Sequence, residues 1–413
     1  MSHLLKQIEP KDIKAEVLFI LAELEAAGFR SFLVGGAVRD LLLGLKVSDY
    51  DITTPATPEE VSSIFKDYKQ LTQGKKHGTV GVLINNEVYE ITSFRKETIY
   101  LDHRHPKEVK FSRSLKEDTK RRDFTINQIA YNPKLGLIDY HNGLKDLKQG
   151  VIRAIGKPER RFSEDALRIL RCFRFAATYN FEIEQNTYRA ANSLIQDLDY
   201  IAGERIQVEL EKLLGAKYLA AKFSSLNTLF EYLFPYQPQG FFTKFNPESL
   251  KLLNYNALAI FILLAHTDKK EHLEKLSQRL KLSNFAKRQL FNYGLSLSKD
   301  LDFKEISLLL DFCYKNNLDA FKFMHLSLAK DLAFNKVNAE KQKRYKAFAK
   351  TIKAANLPLS PEDIVLDGND LINLNYQEGP IIKEILHKLW LAILQDKVSN
   401  DKDSLIKYLH NKK

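Results

Sequence analysis

Two cysteines in 413 residues, Cys172 and Cys313, exclude a disulfide framework and a cysteine-built zinc site, and fit a reducing cytoplasm. Long hydrophobic runs are missing too. The nearest approach, ALAIFILLA at 257–265, is about half of the roughly 18 residues a membrane span needs, so we expect no membrane segment. The opening MSHLLKQIEPKD has neither the apolar core of a signal peptide nor an Arg/Ser-rich transit composition, and no leader is expected. No internal repeat and no low-complexity tract occurs. No GxxxxGK[ST] loop is found, which removes ATPase chemistry of that kind, and no His-Asp metal-phosphohydrolase motif follows downstream. Beyond about residue 156 glycine and proline become sparse, and what remains has helical periodicity.

What is present is a chain long enough for two to four domains, 44% apolar and 28% charged, as globular proteins are. Its net charge of +11 favours a polyanionic partner such as nucleic acid, although basic proteins without one are common. Residues 12–28 read as a helix ending at Gly28, 31–34 as a short strand, then a Gly-Gly turn and a short helix ending at Gly44. Residues 49–52 read as a strand. TPEEV at 57–61 opens a helix, with Thr57 as N-cap and Pro58 in the first position. TVGVLI (79–84) and EVYEITSF (87–94) are β-rich runs joined by Asn85-Asn86, a hairpin signal. Interruptions of the later helical pattern fall at 232–242 and 356–363. Between 335 and 353 seven Lys/Arg face a single Glu, a run that by default is a solvated face.

The segment FLVGGAVRDLLLGLKVSDYDI at 32–52 concentrates the chemistry. Asp49 and Asp51 are one residue apart, so on a strand both point to one face. Two like charges so placed repel unless a cation lies between them, which is the arrangement two-metal phosphoryl chemistry uses with Mg²⁺. Two surface aspartates at a strand end would need no metal. Gly35 and Gly36, ending a strand and opening a helix, offer backbone N–H groups to an anion and let phosphate oxygens approach. Arg39, three residues into that helix, can add a charge-assisted fork, while Asp40 anchors the turn.

GGAVRDLLLG…SDYDI resembles the class II nucleotidyltransferases, the branch containing tRNA nucleotidyltransferases (CCA-adding enzymes) and bacterial poly(A) polymerases. KHGTVGV (76–82), EITSFR (90–95), YLDHRHP (100–106), RRDFTINQIAY (121–131), LIDYHNGLKDL (137–147), RFSEDALRILRCFRF (161–175) and ERIQVELEKLL (204–214) follow in the family's order. Together they span about half the chain; beyond them LDGNDLINL (366–374) is the clearest echo. The resemblance implies an α+β fold: a nucleotidyltransferase head with a small mixed sheet (1–147), then a helical neck for base recognition (148–214), a helical body (215–355) and a helical tail that binds tRNA (356–413). It also implies that Arg122 contacts the incoming nucleotide and Asp123 helps recognise its ribose. A domain-seam ion pair is the structural alternative for those two. Arg121 points away from Arg122 if the segment is extended, and is left out of the site.

Glu90 is expected on a strand beside the one carrying Asp49 and Asp51, where it polarises the attacking hydroxyl, completes a metal shell, or simply pairs with Arg95. In a helix over 161–175, Phe162, Ala166, Ile169, Leu170, Phe173 and Phe175 share an apolar arc, and Asp165, Arg168, Arg171 and Arg174 lie off it in a slow spiral. A carboxylate can accept from the exocyclic amine of cytosine or adenine while a guanidinium donates to the ring nitrogen beside it. Uracil and guanine invert that pattern. Asp165 with Arg168 would therefore admit C or A without a template; the duller reading is a surface Asp165–Arg168 ion pair. The resemblance extends nucleotide contact to Arg171 and Arg174, and Glu164 is read as positioning these arginines.

The polar stretch 95–118 resembles a loop that enzymes adding only CC lack, so A addition is expected as well. The usual Arg-Arg-Pro stands here as Arg104-His105-Pro106, and Gln128 replaces a usual Ala. The expected activity is template-independent addition of CCA to tRNA 3′ ends from CTP and ATP, with Mg²⁺ as cofactor, in the cytoplasm. The oligomeric state is left open, a homodimer included. An A-adding enzyme or poly(A) polymerase is the nearest rival; a nucleic-acid-binding protein with a lapsed site is the rival from another class.

Overall fold

The computed structural model describes residues 3–97, 109–299, 301–336 and 338–411; Arg104, His105 and Pro106 lie outside them. The chain forms two compact units, Met1–Leu233 and Phe234–Lys413. The break at 232–242 read from its prolines and glycine coincides with that division.

In the first unit the elements are α1 (Ala15–Ala26), β1 (Phe32–Val34), α2 (Gly36–Leu42), β2 (Asp51–Thr54), α3 (Pro58–Ile64), β3 (Gln70–Leu71), β4 (Thr79–Ile84), β5 (Glu87–Ser93), the pair β6 (Arg95–Glu97) and β7 (Val109–Phe111), α4 (Leu115–Lys120), β8 (Ala130–Asn132), β9 (Gly136–Ile138) and α5 (Gly143–Gln149). Helices α6 (Pro158–Glu164), α7 (Leu167–Tyr179), α8 (Gln185–Ser193) and α9 (Gly203–Leu214) follow. Seven strands make one mixed sheet in the order β3-β4-β5-β2-β1-β8-β9. Within this sheet, among the described residues, only β2 and β5 run parallel, with Asp51 opposite Glu90. This small mixed sheet followed by helices is the expected α+β architecture.

Local rules account for much of the frame. Asn85 and Asn86 both take positive φ, 49° and 64°, the two-residue turn whose twist matches a hairpin. Thr57 caps α3 reciprocally: its side chain accepts from the Glu60 N–H at 3.3 Å, and Glu60 accepts from the Thr57 N–H at 2.6 Å. Under the sheet Phe32, Val34, Phe94, Leu115 and Ala130 form one buried cluster.

Three expected boundaries shift. Strand β2 begins at Asp51, so Asp49 lies in the loop before it and the two carboxylates share a mouth rather than a strand face. The single helix over 161–175 is two helices. Asp165, at φ −149° and ψ 101°, is extended between α6 and α7, so it is not on the spiral with the three arginines. Arg121 ends α4 in helical conformation and is not in an extended segment, so it does not diverge from Arg122.

Every regular element described in the second unit is a helix. Ala257–Ala265 is a core helix, buried from Ala259 to Ala265, which explains an apolar run too short for a membrane. Within Ala339–Ala354, Tyr345, Phe348 and Ile352 face the core, and Lys343, Lys346, Lys350 and Lys353 are exposed. Among the described residues no helix is long and apolar enough to cross a membrane.

Candidate active site

A cleft of about 610 Å³ in the first unit gathers most of the residues singled out from sequence: Gly35, Gly36, Arg39, Asp49, Asp51, Arg122, Asp165, Arg168, Arg171 and Arg174 all line it. Counting its other lining residues, seven cationic side chains face five carboxylates, a net positive lining. Glu90 does not line this cleft. It borders a neighbouring cavity of about 590 Å³, and the two cavities share Ser48, Asp49 and Asp51. The carboxylate pair therefore stands between two openings.

Gly35 closes β1 at φ 71°, ψ −134°, a backbone state that side-chain-bearing residues rarely adopt. A Cβ there would lie 3.3 Å from Asp51 Oδ2 and 3.6 Å from Arg122 Nη1, so the bare backbone is what lets both side chains close over the turn. Asp51 is open to the cleft at its mouth while its carboxylate rests against that backbone. The consequent loss of water raises its pKa. Arg122 opposes the rise and Asp49 adds to it. Asp49 is exposed and accepts from the Ser48 hydroxyl at 3.1 Å. Glu90 is exposed, and its side chain makes no hydrogen bond or ion pair among the described residues.

The arginines are, by contrast, heavily engaged. Arg39 is 5% exposed and donates to both Asp40 oxygens, at 2.9 and 3.1 Å, and to Asn127 Oδ1 at 2.6 Å. Its guanidinium also lies 4.5 Å from the Tyr179 ring centroid, and Tyr179 donates its hydroxyl to Asp40 at 3.0 Å. Asp40 thus holds Arg39 and Tyr179 rather than the Gly35-Gly36 turn itself. Arg121 and Arg122 converge on the buried Asp118, at 2.8 and 3.1 Å. Burial would raise the Asp118 pKa, but Arg121 and Arg122 outweigh it and lower it.

Asp123 is buried and accepts from Arg171 Nε at 2.8 Å, Asn127 Nδ2 at 3.1 Å and the Phe124 N–H at 2.8 Å. Burial alone would raise its pKa; Arg171 and the Asn127 hydrogen bond overcome this and hold it at about 2. Arg168 donates to the carbonyls of Arg161 and Arg121 and to Glu164, at 2.9, 3.0 and 3.2 Å. Glu164 also receives Arg160 and Arg161, so of the three site arginines it was read as positioning it holds Arg168 alone, while Arg171 and Arg174 take Asp123 and Glu209. Arg174 bonds Glu209 at 2.6 Å and stacks 4.1 Å from the Phe175 centroid.

Asp165 does not pair with Arg168. Its Oδ1 accepts from the Leu167 N–H at 3.2 Å, and its Oδ2 lies 3.4 Å from Arg205 Nη2. Asp118, Asn127, Tyr179, Arg205 and Glu209 were not singled out from sequence. For the last two a signal existed, since positions 205 and 209 of ERIQVELEKLL share a helix face by their spacing. Asp118 was hidden because 95–118 shows no clear periodicity.

Fold and site together define a nucleotidyltransferase head followed by helical domains. Residues 31–153 match the poly A polymerase head domain family, 180–239 a probable RNA- and SrmB-binding site of polymerase A, and 253–409 a putative tRNA nucleotidyltransferase domain 2. The CCA-adding enzyme of Staphylococcus epidermidis is 34% identical over 394 residues, which cover 94% of this chain and 96% of the relative. The Bacillus stearothermophilus CCA-adding enzyme, solved in complex with CTP, superposes with a TM-score of 0.68 at 29% identity, covering 97% of this chain and 98% of that one. The Thermotoga maritima CCA-adding enzyme has the same fold, with a TM-score of 0.74 at 23% identity over 99% and 97% of the two chains. This chain belongs to the CCA-adding enzyme family.

Proposed function

We propose that this chain adds C, C and A to the 3′ end of tRNA from CTP and ATP, without a nucleic-acid template, releasing pyrophosphate. The observation that carries the reading is one cleft lined both by the Asp49–Asp51 pair and by Asp165 and Arg168. The acceptor 3′-hydroxyl attacks the α-phosphorus. The bond from O3′ to phosphorus forms, the α–β phosphoanhydride bond breaks, and pyrophosphate leaves. Positioning and fixed charge carry such a reaction.

Asp49 and Asp51 are the metal-holding carboxylates in this reading. An oxygen-only donor pair suits Mg²⁺, which keeps waters and takes substrate phosphates for its remaining positions. Among the described residues no group of three His, Cys, Asp or Glu stands close enough to hold an ion, so Glu90 is not counted as a ligand. When bound, the ion neutralises charge on the triphosphate and favours the attacking oxygen. Glu90, on the neighbouring cavity, is assigned to the acceptor side as a partner for the attacking hydroxyl. Gly35 and Gly36 let the phosphates lie against the backbone, with Arg122 beside them and Arg39 contributing charge from beneath the turn. Asp165 and Arg168 read the pairing edge of the base. Arg171 and Arg174 complete the nucleotide's surroundings.

We keep the division into head (1–147), neck (148–214), body (215–355) and tail (356–413) as the functional one, with the exposed lysines of Ala339–Ala354 as a phosphate-tracking face. The tRNA substrate and two free, buried cysteines favour a reducing cytoplasm. The decisive assay incubates the protein with Mg²⁺, each nucleotide separately, and tRNAs truncated at successive 3′ positions. C is expected on the two shorter ends and A only on the end already carrying CC. Long A tracts on any RNA would instead mark a poly(A) polymerase.

A further inference from the structure

Arg205 stands at the start of the α9 face that turns toward the cleft, one helical turn before Glu209, which is fixed by Arg174 at 2.6 Å. That anchorage gives Arg205 a rigid base. Its Nη2 faces Asp165 Oδ2 at 3.4 Å, while its Nη1 is buried with no hydrogen-bond partner among the described residues. A buried guanidinium N–H without an acceptor is costly and persists where another state supplies one. Asp165 needs such a neighbour. It lies between α6 and α7 in extended backbone, and the Leu167 N–H restrains only its other oxygen.

We propose that Arg205 is a positioning residue for base selection, holding the Asp165 carboxylate where it can accept an exocyclic amine and where it repels a carbonyl. The proposal rests on the base-reading role given to Asp165. Nη2 restrains Oδ2 from one side, and the unpartnered Nη1 beside it gives the same guanidinium a second N–H with which to grip that carboxylate as a two-pronged fork. Cytosine and uracil share size and ring nitrogens. They differ at this edge by an amine against a carbonyl and by the protonation of the adjacent ring nitrogen. Rejection of uracil therefore depends on the carboxylate staying put. A carboxylate free to rotate would turn away from the uracil oxygen, and the penalty would vanish.

The test measures kcat/KM for CTP and for UTP on tRNA lacking the CCA end, in wild type, Arg205→Ala, Arg205→Lys, Asp165→Ala and the double variant. The CTP-to-UTP ratio is taken within one preparation, so a reduced folded fraction cancels. Should Arg205→Ala be insoluble, Arg205→Gln keeps the bulk, removes the charge and carries the same expectation. The ratio is expected to fall about tenfold or more in Arg205→Ala, to recover in part in Arg205→Lys, and to fall no further when Arg205→Ala is added to Asp165→Ala. A wild-type ratio in Arg205→Ala beside a collapsed ratio in Asp165→Ala would overturn the proposal while leaving the reading of Asp165 standing. A wild-type ratio in Asp165→Ala would instead remove that reading itself. A further fall in the double variant would give Arg205 a separate role and also overturn the inference.

Discussion

The two parts of the site, a carboxylate end that includes Glu90 on the neighbouring cavity and an arginine-lined base-reading end, are built on opposite plans. At the carboxylate end, the Asp49 side chain has only the Ser48 hydroxyl and the Glu90 side chain has no polar partner among the described residues. At the base-reading end each arginine is tied down: Arg168 by three acceptors, Arg171 by Asp123, and Arg174 by the buried Glu209. The first end leaves its charge for a cation and substrates to satisfy. The second satisfies its charge internally and offers fixed donors and acceptors, which selection without a template requires. One end should therefore tolerate mutation structurally and fail chemically, and the other should lose stability as well.

The largest expected break is at the open end. Asp49→Ala should lower nucleotide addition by about 10³-fold or more while tRNA affinity and thermal midpoint stay near wild type, measured by primer extension, filter binding and calorimetry. A large drop in melting temperature would give Asp49 a structural role and erase the contrast. At the closed end, Glu209→Ala leaves Arg171 and Arg174 without their shared buried carboxylate. It should destabilise the protein by about 3–5 kcal/mol in urea unfolding; a loss near zero would mean that the network is ornamental.

A smaller effect tests Asp123. Its folded pKa of about 2 lies below the ordinary carboxylate value of 3.8, so it contributes stability above that value which is lost as pH falls toward 2. The contribution is about 2 kcal/mol. Asp123→Asn, which cannot titrate, should remove it and flatten the acid limb of stability between pH 4 and 2 in urea unfolding at each pH; an unchanged acid limb would mean that Asp123 does not carry it. The smallest effect sharpens the open end. Asp51 is raised first by loss of water and further by Asp49. In the metal-free protein, carbon-13 NMR of the Asp51 carboxyl should therefore show a midpoint above 3.8 that moves down in Asp49→Asn. No movement would mean that the two carboxylates do not feel each other.

How much of this was readable beforehand differs by element. The hairpin at Asn85-Asn86, the Thr57 cap and the Gly35-Gly36 turn follow from local backbone rules, and each appears where the residues indicated. The helix over 161–175 failed at one residue. Periodicity counts apolar spacing and cannot register that Asp165 leaves the helix to meet a side chain 40 positions away. The strand that should have carried both aspartates starts at the second for a similar reason, since pairing with β1 and β5 begins there and only pairing partners decide it.

The sequence by itself determined which chemistry is available: carboxylates beside a glycine turn, arginines in number and an aspartate near them, all set by residue identity and short-range geometry. Which partner each charge takes was decided only by the tertiary structure. Asp123 holds Arg171, Glu209 holds Arg174, and Arg205 rather than Arg168 faces Asp165. The physical reason is that an ion pair between distant segments depends on where packing brings those segments, which the local spacing of either one does not encode.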